Sequence, residues 1–163
     1  MHVMKLFLKN LLFTLFIPGT VAVYVPLLIV GGLRITAGPI FLVLGAILLV
    51  TGTVIYLWTM WDFATAGRGT PLPIDAPKKL VVRGLYRYMR NPMYLGVLMV
   101  IIGWATFFAD GWLFVYALGV GLAIYLFVVL YEEPKLRQQF GAEYDAYRQK
   151  VERWLPHIPG GRQ

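Results

Sequence analysis

Four stretches of this chain are apolar enough to cross a bilayer, which takes about 20 mainly apolar residues in a helix. They lie at about 11–31, 39–61, 93–109 and 112–131. Asp110 and Gly111 alone separate the last two stretches, so these helices should form an antiparallel hairpin. The pattern predicts an all-α integral membrane protein, with four transmembrane helices in a single domain over residues 1–163.

Prolines and glycines within these stretches predict local features. Pro18 and Pro26 fall inside the first span, where a kink is expected. The third and fourth spans carry small residues that would let those two helices approach closely, namely Gly96, Gly103, Gly119 and Gly121. Glycine is also frequent in membrane helices generally, so the composition alone leaves this pairing open.

Lysine and arginine fall almost entirely on one side of the predicted membrane. Lys5 and Lys9 precede the first span, the 62–92 segment and the tail after 131 carry most of the others, and Arg34 alone lies opposite. The positive-inside rule therefore places both termini and the 62–92 segment in the cytoplasm. Topology thus accounts for the net charge of +7 without nucleic acid. We expect an inner or plasma membrane of a prokaryote.

Polar residues concentrate at two cytoplasmic positions. The stretch 80-LVVRGLYRYMRNP-92 interleaves apolar and basic residues and ends in Asn91-Pro92, which suits the start of the third span. Glu132 and Glu133 follow the fourth span, where the negative end of a helix dipole would disfavour them. A positive group is therefore expected nearby, either in a salt-bridge network with the arginines or in a polar pocket that binds a cationic ligand.

An amphipathic helix should follow a break at Gly141. Tyr144, Tyr147, Val151 and Trp154 recur there at three- and four-residue spacing. This cytoplasmic helix either lies on the lipid headgroups or belongs to the same polar site.

Two motifs resemble one family of membrane enzymes. The first is G-x-Y-x-x-x-R-N-P-x-Y from Gly84 to Tyr94, and the second begins with E-E-x-x-L at Glu132 and ends with R-W-x-P at Pro156. Over about residues 78–156 the chain resembles the isoprenylcysteine carboxyl methyltransferase and phospholipid methyltransferase group of integral-membrane methyltransferases. That family usually has Arg-His-Pro where this chain has Arg90-Asn91-Pro92.

The resemblance implies S-adenosylmethionine as cofactor, bound from the cytosol, and a lipophilic small-molecule or lipidated acceptor that arrives from the bilayer. The expected cofactor-binding residues are Arg83, Gly84, Tyr86, Arg90, Asn91, Pro92, Tyr94, Glu132 and Glu133. The expected catalytic residues are Arg153, which would orient the acceptor, with Tyr94 and Glu132. Either carboxylate O-methylation or amine N-methylation is compatible with these groups.

No metal is expected, since the chain has no cysteine and its two histidines, His2 and His157, lie near opposite termini. Two other functions remain open. Membrane sterol and steroid reductases that use NADPH carry a pattern similar to the Arg90–Gly96 segment. A non-enzymatic membrane scaffold would retain the same helices and use the charges structurally.

Overall fold

The computed structural model describes residues 11–31, 37–67 and 79–156. Within them the helices are α1 (Leu11–Val30), α2 (Pro39–Asp62), α3 (Pro92–Phe108), α4 (Gly111–Phe140) and α5 (Ala142–Lys150). A short 3-10 helix, Gly84–Arg87, precedes α3. The described part of the chain holds no β-strand beyond a single bridge between Met89 and Glu152, so the all-α prediction is confirmed there.

Three of the described helices, α1, α2 and α4, are long and apolar enough to cross a membrane. Helix α3 is apolar but has 17 residues, which makes it shorter than the other three. Pro39 and Pro92 each lie in the first turn of a helix, as predicted, because a residue there needs no N–H for the helical hydrogen bonds.

Helix α4 continues past its predicted end at 131. Glu132 and Glu133 therefore do not meet the negative end of a helix dipole, and that prediction is wrong. Both glutamates lie inside one continuous helix that ends at Gly141. Pro134 cannot donate a backbone hydrogen bond, and the chain accommodates it by a π-helical stretch, Val128–Glu132. The Glu133 N–H bonds the carbonyl of Val128, five residues earlier.

Helix α1 handles Pro26 in the same way, with a π-helical stretch at Thr20–Tyr24. The wider turn leaves the carbonyl groups of Val21 and Ala22 without their usual helical partners. Side chains of neighbouring helices hydrogen-bond to both: Tyr116 Oη donates to Val21 O at 2.8 Å and Trp104 Nε1 donates to Ala22 O at 3.0 Å. These bonds attach α1 to α3 and α4.

Glycines on facing positions bring α2 and α3 into close antiparallel contact. A Cβ added at Gly52 would lie 2.7 Å from the carbonyl oxygen of Gly96, and one at Gly45 would lie 2.5 Å from the backbone nitrogen of Phe107. A Cβ at Gly103 would lie 2.9 Å from the backbone nitrogen of Leu49. Only glycine permits this backbone separation.

The close glycine contact between α3 and α4, which the sequence left open, is therefore not the one that forms. Gly96 and Gly103 face α2, whereas Gly119 has no atom within 4 Å of an added Cβ and Gly121 meets only the side chain of Leu98 at 3.7 Å. Helices α3 and α4 still form the predicted hairpin, in which Asp110 Oδ1 accepts a hydrogen bond from the Leu113 N–H at 3.0 Å.

Replacing Gly52 with alanine should destabilise the bundle, because the new methyl group must push two helix backbones apart. We expect a loss of about 1–3 kcal/mol in the free energy of unfolding. The measurement is the thermal midpoint in detergent, with Gly119→Ala as the matched control at an open position. Equal midpoints for the two variants would contradict the close α2–α3 contact.

Candidate functional site

One buried carboxylate joins three distant parts of the chain at the α3 start of the bundle. Glu133 on α4 accepts a hydrogen bond from Arg90 Nη1 at 2.7 Å. Arg153, which follows α5, donates to the same carboxylate through Nε at 2.8 Å and Nη2 at 2.9 Å. Such charge-assisted, bidentate contacts are among the stronger hydrogen bonds in proteins. The residues before α3, the second half of α4 and the tail are therefore tied together.

Backbone contacts reinforce this junction. Arg90 N donates to Glu152 O at 2.9 Å, and Asn91 Nδ2 donates to Arg153 O at 3.2 Å. The Asn91 side chain makes this contact instead of capping α3, for which no side-chain hydrogen bond is found. Asparagine thus serves as an amide donor to the tail.

Glu132 occupies a different environment from its neighbour. Consecutive helical residues point about 100° apart, so the two carboxylates face different groups. Tyr94 Oη donates to Glu132 Oε2 at 2.9 Å. Glu133 thus accepts three hydrogen bonds from two arginines, whereas Glu132 accepts one from a tyrosine.

A cavity of about 100 Å³ lies beside this junction. Its wall includes six of the residues predicted to bind the cofactor: Tyr86, Arg90, Asn91, Tyr94, Glu132 and Glu133. Arg83, Gly84, Pro92 and Arg153 are not part of the wall. Arg153 instead binds the carboxylate of Glu133, and Arg83 Nε lies 2.8 Å from Asp62 Oδ1.

Further wall residues were not singled out as site residues from the sequence. They are Phe63, Leu80, Val81, Met93, Phe127, Tyr131, Lys135, Leu136, Gln139, Tyr144 and Tyr147. Most are ordinary apolar or aromatic residues in helices, a class that gives no chemical signal by itself. The recurrence of tyrosines after Gly141 was the one available hint.

The amphipathic helix α5 turns its aromatic stripe inward. Tyr144, Tyr147 and Val151 are buried together against Leu80, Leu136 and Phe140. The interpretation in which this stripe lies on lipid headgroups is therefore wrong for these three residues. Helix α5 instead forms part of the cavity wall.

Two of the wall tyrosines are held as neutral hydrogen-bonding groups. Tyr147 Oη donates to the carbonyl of Tyr86 at 2.7 Å, and the Tyr86 ring packs edge-on against Phe63 with centroids 5.5 Å apart. Burial raises the pKa of both phenols above the ordinary value for tyrosine. Neither is suited to act as a base near neutral pH.

The cavity wall carries both signs of charge, from Arg90 and Lys135 and from Glu132 and Glu133. The described residues contain no cluster of three or more metal-ligating side chains, and His2 and His157 lie outside them. The Nε of Arg90 is buried and has no hydrogen-bond partner within the described ranges. An unpaired buried donor is costly to folding.

The part of the chain that forms most of the cavity wall is similar to known proteins. The sequence profile of phospholipid methyltransferases matches residues 40–143. A probable protein-S-isoprenylcysteine O-methyltransferase of Oryza sativa subsp. indica is 34% identical over 121 residues, which cover 70% of this chain and 60% of that protein. Protein-S-isoprenylcysteine O-methyltransferase B of Arabidopsis thaliana is 31% identical over 83 residues, covering 49% of this chain and 41% of that protein.

The chain therefore spans about 60% of the length of the rice relative. An uncharacterized protein of Haemophilus influenzae is 35% identical over 63 residues, which make up its whole length and 39% of this chain. No solved structure matches the chain significantly.

Replacing Glu133 with glutamine should destabilise the fold, because two guanidinium groups would lose their carboxylate. We expect a loss of about 2–4 kcal/mol in the free energy of unfolding. Asp145→Asn is the matched control, since Asp145 pairs with Arg137 on the exposed surface, where such a pair contributes at most about 1 kcal/mol. Thermal unfolding in detergent measures the stability of both variants. An equal loss of stability in the two would show that Glu133 does not hold these segments together.

Proposed function

Because the chain belongs to the phospholipid methyltransferase family, we propose that it is a membrane methyltransferase that uses S-adenosylmethionine and acts on a lipid-like acceptor. The observation that carries this proposal is the presence of opposite charges in the wall of one cavity. Glu132 and Arg90 both line it. These opposite charges match the ammonium and carboxylate groups of the donor's amino-acid part.

Each wall residue has a distinct role in this proposal. Glu132 binds the ammonium group of the donor, and the guanidinium group of Arg90 binds its carboxylate. Tyr86 and Tyr144 provide aromatic surface for the adenine or the cationic sulfur. Glu133 holds Arg90 in place and does not itself contact the donor, since its oxygens are already occupied by the two arginines.

Bound S-adenosylmethionine supplies a methyl group on a sulfonium, which a nucleophile displaces in line. The protein's contribution is to hold the two reactants close together and correctly oriented, which requires neither a metal nor a covalent intermediate. For a carboxylate acceptor no base is needed. An amine acceptor must first lose a proton, and we assign its acceptance to Glu132 with its Tyr94 partner.

The acceptor enters from the bilayer side of the cavity. Phe127 and Tyr131 both line the cavity and are exposed on α4, with their rings 5.3 Å apart. Their apolar surface suits a prenyl or acyl chain. The two plant relatives are named for isoprenylcysteine O-methylation, and for this chain we propose only the broader class of lipid-like carboxylates or amines.

The proposal also includes four spans with the cavity on the cytoplasmic side. At about 1.5 Å per residue, α3 falls somewhat short of a 30 Å hydrocarbon core, but a 17-residue helix is still within the range that spans. The excess of basic residues in the 62–92 segment and the tail supports the orientation. Helix α5 would then face the cytosol, where the donor is made.

Detergent-purified protein should bind S-adenosylhomocysteine and should not bind NADPH. Isothermal titration calorimetry with both ligands separates the methyltransferase from the reductase. Glu132→Gln should weaken the affinity about tenfold, because a charge-assisted hydrogen bond to the donor's ammonium is lost.

Glu143→Gln is the control for that variant, since Glu143 is exposed on α5 and does not line the cavity. Tight binding of NADPH without S-adenosylhomocysteine binding would refute the proposed cofactor. Equal affinity of Glu132→Gln and the wild type would refute the role of Glu132.

Incubating the protein with methyl-labelled S-adenosylmethionine and a membrane lipid extract should transfer label into an organic-soluble fraction. Treating that fraction with mild base then separates the acceptor classes, because methyl esters release the label and methylated amines keep it. The absence of label in every lipid fraction, with donor binding intact, would count against a lipid acceptor.

A further inference from the structure

A buried aspartate at the end of α2 has no role in the site as described so far. Asp62 is 2% exposed, and its Oδ1 accepts a hydrogen bond from Arg83 Nε at 2.8 Å. Its Oδ2 is also buried and has no hydrogen-bond partner among the described residues. A buried carboxylate with an unpaired oxygen opposes folding, so stability alone is a poor explanation for this arrangement.

The backbone at Gly84 lies in close contact with the Asp62 side chain. Gly84 follows Arg83 and has a φ of +56°, a conformation that favours glycine. A Cβ added at Gly84 would collide with Asp62 Oδ2. One oxygen of Asp62 thus binds the Arg83 side chain, and the other lies against the next residue of the backbone.

This contact fixes the start of the short 3-10 helix that contributes a residue to the cavity wall. Gly84–Arg87 form the 3-10 helix, and Tyr86 within it lines the cavity. The residue after Asp62 is Phe63, whose ring packs edge-on against Tyr86. The end of α2 therefore meets the Gly84–Arg87 helix twice, once through its backbone start and once through the Tyr86 ring.

We propose that Asp62 is a positioning residue of the donor site, which acts through Arg83 and Gly84 to place Tyr86 at the cavity. The inference rests on the proposed function for the identity of the ligand. Neither Asp62 nor Arg83 lines the cavity, so both influence binding only through the backbone they fix. This assigns a role to Arg83 that differs from direct cofactor contact.

Two single variants and their combination test the proposal: Asp62→Asn, Arg83→Gln and the double variant. The affinity for S-adenosylhomocysteine should fall about tenfold in each single variant, because a preorganising charge-assisted hydrogen bond is lost. The double variant should be no worse than either single one, as expected for residues that act as a pair. Amide hydrogen exchange over residues 84–90 should accelerate in all three.

Asp145→Asn, which removes an exposed carboxylate paired with Arg137, should change neither readout. Arg83 has a half-exposed side chain, so Arg83→Gln remains informative if Asp62→Asn fails to fold. Unchanged exchange or wild-type affinity in Arg83→Gln would overturn this inference alone. Failure of the wild-type protein itself to bind S-adenosylhomocysteine would instead overturn the proposed function.

Discussion

The arrangement of the site depends on the carboxylate of Glu133 and the two guanidinium groups that bind it. Arg90 lies before α3 and Arg153 lies beyond α5, so one side chain on α4 fixes segments that are 43 and 20 residues away. All three groups are at least partly removed from water, where removing one partner leaves a buried charge without compensation. The contact of Asn91 with the backbone of Arg153 then aligns the start of α3 with the tail.

Glu132, the residue before Glu133, has a different environment. Glu132 faces another side of α4, where it accepts a hydrogen bond from Tyr94 and lines the cavity. Glu132 is the last residue of the π-helical stretch Val128–Glu132. This stretch forms because Pro134 lacks a backbone donor. Two adjacent and chemically identical residues thus have different hydrogen-bond partners.

Much of the helical architecture was predictable, because long apolar runs bounded by proline, glycine and charge have few other interpretations. The start of α3 at Pro92 and the break at Gly141 follow from residue chemistry in the same way. The end of α4 was not predictable from hydropathy, since charged residues continued the helix beyond the apolar run. Nor did small residues reveal their partner, because Gly96 fits α2 and α4 equally well until the packing is known.

Some polar residues of the cavity wall were predictable, but their pairings were not. Motif spacing identified Arg90, Tyr94 and both glutamates, yet which arginine binds which carboxylate depends on how distant segments meet. Asp62 gave no signal beyond an acidic residue at the end of an apolar helix, and its partner lies 21 residues away.

The most direct test is an experimental structure of the protein with S-adenosylhomocysteine bound. Our account predicts the ligand's amino group within hydrogen-bond distance of Glu132, with Arg90 and Arg153 still bound to Glu133. A ligand amino group on Glu133 with the arginines displaced would contradict it.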